Sequence, residues 1–118
     1  MTPIESPPAP VYLKLRGLLA GSILAGEYRE GDQLPSVRAF AAAHGANPLT
    51  VAKAYQTLQD EGFVAVRRGV GMFVAEGASD RLRAQERQVF LTQTWPTILT
   101  QIDRLGLSAT DLIEKHFA

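Results

Sequence analysis

Between Arg38 and Ala75 the basic side chains are Arg38, Lys53, Arg67 and Arg68, and the acidic ones are the adjacent Asp60 and Glu61. Guanidinium and ammonium groups pair with phosphate, and arginine can do so through two parallel hydrogen bonds. The run Arg67-Arg68-Gly69-Val70-Gly71 sets two guanidiniums beside two glycines. Glycine lets a backbone approach another surface closely, and arginine can enter a narrow groove. Asn47 and Thr50 can reach a phosphate or a base edge, Lys53 a phosphate or a guanine, and the apolar Leu49 a thymine methyl. The chemistry on offer is recognition of a nucleic acid.

Bond-making sets do not assemble. Asp60 and Glu61 are sequence neighbours, so on a helix end they do not face each other as an acid/base pair. His44 and His116 are the two histidines, and no metal-ligand spacing joins them to carboxylates, although Glu114 is near His116. The chain has no cysteine, which excludes disulfides, thiolate zinc sites and cysteine nucleophiles. Gly69-x-Gly71 lacks the following helix of a phosphate loop. No catalytic residue, metal or cofactor is expected, and the chain does not read as an enzyme.

These groups need elements to hold them. Tyr12, Leu15, Leu19 and Ile23 recur at helical spacing over residues 11–25, and Gly26 ends that helix. Glu30-Gly31-Asp32 reads as a turn and Gln33-Leu34 as a short strand. Pro35-Ser36 opens a second helix, with Ser36 as N-cap and Val37, Phe40 and Ala41 facing inward, and His44-Gly45 closes it. Asn47-Pro48 opens a third, predicted over residues 48–61 and stopped by Gly62. Val51, Ala54, Tyr55 and Leu58 line its inner face, leaving Leu49, Lys53 and Gln56 outward and Thr50 on the flank. Residues 63–67 and 72–75 then read as two strands around the turn 68–71.

Three helices followed by a hairpin is the order of a winged helix-turn-helix, with Gly45-Ala46-Asn47 as the turn between the second and third helices. In such motifs the start of the third helix reaches bases and the second helix faces the phosphate backbone, which places Arg38 there. The expected fold is mainly α with a small β-hairpin, followed by a short C-terminal helical segment. Residues 1–10, with four prolines, are expected to be a flexible arm. Residues 11–77 form the winged domain and residues 78–118 the tail.

In the tail, Ser79 is a candidate N-cap for a helix over residues 80–105. Pro96 should kink or break that helix near Trp95. Gly106 ends it, and Ser108 to Asp111 resembles a capping box before a last helix. Two helices carry more apolar side chains than they can bury alone. Leu82, Val89, Phe90, Trp95, Ile98, Leu99, Ile102, Leu105, Ile113 and Phe117 are therefore expected at a dimer seam. Folding back onto the winged domain is the alternative.

With 118 residues and 46% hydrophobic composition the chain is long enough to bury a core. No apolar run approaches the roughly 18 residues of a membrane span. No secretory signal is visible, and a cytoplasmic, nucleoid-associated location is expected. Twelve basic and twelve acidic residues balance to zero net charge, which keeps open a winged helix that binds protein instead of DNA.

The stretch from Gly26-Glu27-Tyr28 through Gly31-Asp32-Gln33-Leu34-Pro35-Ser36-Val37-Arg38-Ala39-Phe40-Ala41 resembles the opening of the GntR family DNA-binding domain. The match continues through Asn47-Pro48-Leu49-Thr50-Val51-Ala52-Lys53-Ala54-Tyr55-Gln56-Thr57-Leu58 and Glu61-Gly62, and ends on Arg68-Gly69-Val70-Gly71-Met72-Phe73-Val74. The Asn-Pro start of the third helix, its Ala-Tyr pair and the short tail resemble the YtrA subfamily. The resemblance implies a homodimeric regulator of transcription, most simply a repressor, on an inverted-repeat operator in double-stranded DNA. It implies DNA contacts at Arg38, Thr50 and Gly69 and a two-helix dimerising tail. Pro48 and Ala52 stand where many members carry arginine, so base specificity does not transfer. The full predicted contact set is Ser36, Arg38, Asn47, Leu49, Thr50, Lys53, Arg67, Arg68, Gly69 and Gly71. The sequence leaves open whether a small-molecule effector exists; the place for one would be the apolar space near Trp95 and the dimer seam.

Overall fold

The computed structural model describes residues 10–117, without the side chain of Phe117. The expected arm therefore lies, apart from Pro10, outside the described residues. Two compact units divide at Leu82 and Arg83.

In the first unit, α1 (Val11–Leu24) buries Leu15, Leu19, Ala20 and Ile23. α2 (Val37–His44) starts on Ser36, whose hydroxyl accepts from the Ala39 N–H at 3.1 Å. It ends on Gly45 in the left-handed conformation, φ +59°, a geometry that favours glycine. α3 (Pro48–Asp60) starts on Asn47, whose Oδ1 accepts from the Leu49 N–H at 2.8 Å. Val51, Ala54, Tyr55 and Leu58 of α3 are at most 1% exposed. They pack in one core with the buried face of α1, Phe40 and Ala41 of α2, and Leu34, Phe63, Val64 and Val74. Burying an aliphatic side chain of this size contributes about 1.5–3 kcal/mol, so this row is what fixes α3. Arg16 of α1 clasps Glu61 with two hydrogen bonds of 2.6 and 2.7 Å, tying the two helices where α3 ends.

β1 (Val64–Arg67) and β2 (Gly71–Val74) form the antiparallel hairpin, with Val64 opposite Val74 and Arg67 opposite Gly71. Residues 31–34 run along the other edge of β2. The Gly31 N–H donates to the Val74 carbonyl and the Leu34 N–H to the Met72 carbonyl, at 2.9 and 2.8 Å. The expected strand at Gln33-Leu34 is a single bridge, Gln33 to Phe73. Pro35, which has no N–H to give, prevents its extension.

Tyr55 links α3 to the loop before α2. Its hydroxyl donates to the Pro35 carbonyl at 2.6 Å, and its ring meets Phe40 edge-on at 6.0 Å. Burial, and then the neighbouring Tyr28, push the phenol from its ordinary 10 up to about 12. Between those values the folded chain keeps a proton that the unfolded chain has lost, so stability falls as pH rises from about 10 toward 12. Tyr55→Phe is expected to cost about 1–2 kcal/mol at neutral pH, the price of an unmade buried hydrogen bond, and to flatten that alkaline fall. Urea unfolding at pH 7 and across pH 9–11 checks both.

α4 (Ala78–Val89) begins in the first unit, with Ala78 and Leu82 fully buried in its core. This corrects the expectation for Leu82. Its side chain is 0% exposed against the winged domain and is not available to a dimer seam. Ser79 is also not a cap but part of the first turn of α4. The helix starts instead from Gly77, φ +72°, with the Ala78 N–H on the Ala75 carbonyl at 3.1 Å.

In the second unit the helix does not break at Pro96. It widens into one π-helical turn, Phe90–Thr94, and resumes as α5 (Trp95–Arg104). Pro96 has no N–H, and in an α-helix its ring would strike the carbonyl four residues back. The wider turn, in which the Trp95 N–H reaches the Phe90 carbonyl, gives that ring room. After Gly106, φ +67°, α6 (Ala109–Phe117) starts on Ser108, whose hydroxyl accepts from the Asp111 N–H at 3.3 Å.

Candidate nucleic-acid interface

α3 turns its polar side out. Leu49 is 81% exposed, and Thr50 sits half-buried beside it. Asn47 is exposed, but its Oδ1 is occupied by the helix cap, as is the Ser36 hydroxyl at the start of α2. These two residues therefore fix the helix starts and offer only their remaining polar atoms outward. Further along α3, Gln56 donates to Asp60 at 2.8 Å, and Glu61 is held by Arg16. The two acidic groups at the end of α3 are thus engaged away from its start.

The four expected cations divide into two kinds. Arg38 and Arg68 are exposed, and no hydrogen bond or ion pair within the described residues occupies either guanidinium. Lys53 instead places its ammonium 4.1 Å from the ring centre of Tyr12 on α1, and Arg67 sets its guanidinium 4.3 Å from the ring centre of Phe73. Such contacts contribute about 0.5–1 kcal/mol at exposed sites, so both cations must give up a partner to reach a phosphate. The sequence did not reveal Tyr12 and Phe73 as those partners, because each ring comes from another element.

The wing tip is Arg68-Gly69-Val70, closed by the Val70 N–H on the Arg67 carbonyl at 3.0 Å. Gly69 and Gly71 have φ of +77° and +146°, which other residues reach only with strain. Gln33, not among the expected contacts, donates from Nε2 to the Val70 carbonyl at 3.0 Å. In the sequence it stood in the expected short strand and in the stretch that resembles the GntR domain, with nothing to pair it with the wing.

Of the residues expected at a dimer seam, Phe117 has no described side chain; among the others Trp95, Ile98 and Ile102 are half-buried and only Leu82 is fully buried. Trp95, Ile98 and Ile102 of α5 face Ala109, Leu112, Ile113 and His116 of α6 across a groove of about 410 Å³. Val89, Phe90, Leu99, Leu105 and Ile113 are exposed, Leu105 at 72%, and Phe90 stacks near Trp95 with ring centres 6.3 Å apart. Among the described residues no group of His, Cys, Asp and Glu could hold a metal ion, and no helix is long and apolar enough to cross a membrane.

Residues 11–74 match the family of bacterial regulatory proteins of the gntR type. The chain is 32% identical over 107 residues to the HTH-type transcriptional regulator YhcF of Bacillus subtilis, covering 89% of this chain and 85% of that one. It is 40% identical over 73 residues to the HTH-type transcriptional repressor YtrA of the same organism, covering 62% of this chain and 56% of that one. A solved GntR-family regulator from Bacteroides thetaiotaomicron superposes with a TM-score of 0.67 at 30% identity, over 92% of this chain and 94% of that one. A mainly helical winged helix-turn-helix, a two-stranded wing and a family match over more than half the sequence agree: the chain belongs to the GntR family of bacterial transcriptional regulators, and is similar to its YtrA members.

Proposed function

We propose that the chain is a homodimeric, cytoplasmic repressor that binds an inverted-repeat operator. The carrying observation is the outward face of α3, with exposed Leu49 and half-buried Thr50, together with Arg38 of α2 and Arg68 of the wing, both exposed and without a partner among the described residues. α3 enters the major groove, where Leu49 touches a thymine methyl and Thr50 and Asn47 hydrogen-bond to base edges or phosphate. Arg38 and the wing grip the backbone on either side and set the register. Repression follows where the bound dimer covers promoter DNA.

The α5–α6 groove supports the dimer reading. A chain that leaves Trp95, Ile98, Ile102 and Leu112 only half-covered gains by pairing that face with a second copy. Two copies then present two copies of α3 to successive major grooves, about 34 Å apart. A small apolar effector entering the groove would compete with that pairing.

The test is selection of bound duplexes from a random pool, followed by sequencing. Enrichment of an inverted repeat with half-sites about one helical turn apart is the expected result. No enrichment from a folded, dimeric preparation would overturn the DNA reading and turn attention to a protein partner of the winged domain.

A further inference from the structure

The wing tip is short and is held from outside the hairpin. Arg68, Gly69 and Val70 are all exposed, and a two-stranded ribbon of this length is marginal alone. Among the described residues the side chain that reaches the tip is Gln33, whose Nε2–H donates to the Val70 carbonyl. The backbone puts Gln33 there: it bridges to Phe73, and the next residue, Leu34, is buried and bonded to Met72. Gly71 leaves the space. A Cβ on Gly71 would stand 2.5 Å from the Gln33 Nε2. A backbone bridge, a side-chain hydrogen bond and a missing side chain thus converge on one amide. That amide also lines a cleft of about 230 Å³ between the wing and the start of α2, shared with Pro35, Ser36 and Val70.

We propose that Gln33 is the positioning residue of the wing. Its amide fixes the Val70 carbonyl and so sets where Arg68 and Gly69 stand relative to Ser36 and Arg38. The inference rests on the reading of the wing as a DNA contact, and it adds a residue that touches no DNA itself. The interaction requires a donor at position 33. An ionised glutamate has none and would turn a carboxylate toward a carbonyl, whereas lysine brings its own N–H groups.

The test uses the full chain with Gln33→Ala, Gln33→Glu and Gln33→Lys. Gln33 is exposed, so all three are expected to fold. Two readouts are taken: amide hydrogen exchange of residues 69–71 in the free protein, and affinity for the selected duplex with and without Arg68→Ala. Gln33→Ala and Gln33→Glu are expected to speed exchange at the tip and to weaken binding about five- to tenfold, the range of one hydrogen bond. Gln33→Lys is expected to stay within about twofold of the parent in both. In the Gln33→Ala background the further loss from Arg68→Ala is expected to shrink, because a wandering tip no longer presents that guanidinium. Unchanged exchange in Gln33→Ala, parental affinity in Gln33→Glu, or fully additive losses with Arg68→Ala would each overturn the proposal. A parent chain that binds no duplex would overturn the DNA reading instead, and the exchange data would still decide whether Gln33 holds the tip.

Discussion

Ile102→Asp is expected to keep the chain monomeric and to remove operator binding at concentrations where the parent saturates. Ile102 sits in the wall of the α5–α6 groove and is half-buried in the single chain. An aspartate there keeps its water while the chain is alone, so the fold of either unit is expected to survive. On pairing, the same carboxylate would be stripped of water against Trp95, Leu112 and Ile113. Burying an unpaired charge costs several kcal/mol, and a two-fold interface buries it twice. Even about 4 kcal/mol weakens the dimer roughly a thousandfold, at 1.4 kcal/mol per decade. DNA binding falls with it, because the second half-site is captured at high effective concentration only when both copies are joined, an advantage of roughly 10²–10⁴. Sedimentation checks the first effect and titration of a full site against a half-site checks the second. A variant that still sediments as the parent dimer would remove this groove from the seam.

The sequence revealed what local chemistry decides. Ser36, Asn47 and Gly45 announced helix ends because capping is settled within a few residues, and each cap stands where it was expected. The inward row of α3 was legible from spacing alone, and all four of its residues are buried. Periodicity does not say what an apolar side chain packs against. Leu82 therefore read as part of the tail's exposed stripe when it completes the core of the winged domain. Pro96 announced a kink or a break without saying how its clash would be relieved, and a widened turn relieves it without a break. The candidate site divides along the same line. Arg38 and Arg68 were expected from type and position, while the ring under Arg67 depends on the facing strand of the hairpin, and the ring under Lys53 and the amide of Gln33 on elements far apart in the chain.

That division ranks the cations, and Arg38→Ala with Arg68→Ala is the second large effect. Each guanidinium is exposed and without a partner among the described residues, so each meets phosphate without first breaking another contact. A hydrogen bond to a charged group is worth about 1.5–3 kcal/mol, which predicts a loss of roughly 10- to 100-fold per arginine in each half-site. The two lie on different elements, α2 and the wing, so their losses are expected to add. The salt dependence is the sharper reading, because each lost phosphate contact removes about 0.9 from the slope of log affinity against log salt. A dimer loses two contacts per substituted arginine, so each substitution is expected to flatten the slope by about 1.8. Lys53→Ala and Arg67→Ala are expected to cost less affinity, because each cation gives up a ring contact, with Tyr12 or Phe73, in order to pair with phosphate, and to flatten the slope less wherever it stays on its ring. If all four variants flatten the slope equally, those ring contacts do not persist on DNA. If Arg38→Ala and Arg68→Ala leave the slope unchanged, neither guanidinium lies on the phosphate backbone, and the docking of α2 and the wing against DNA has to be abandoned.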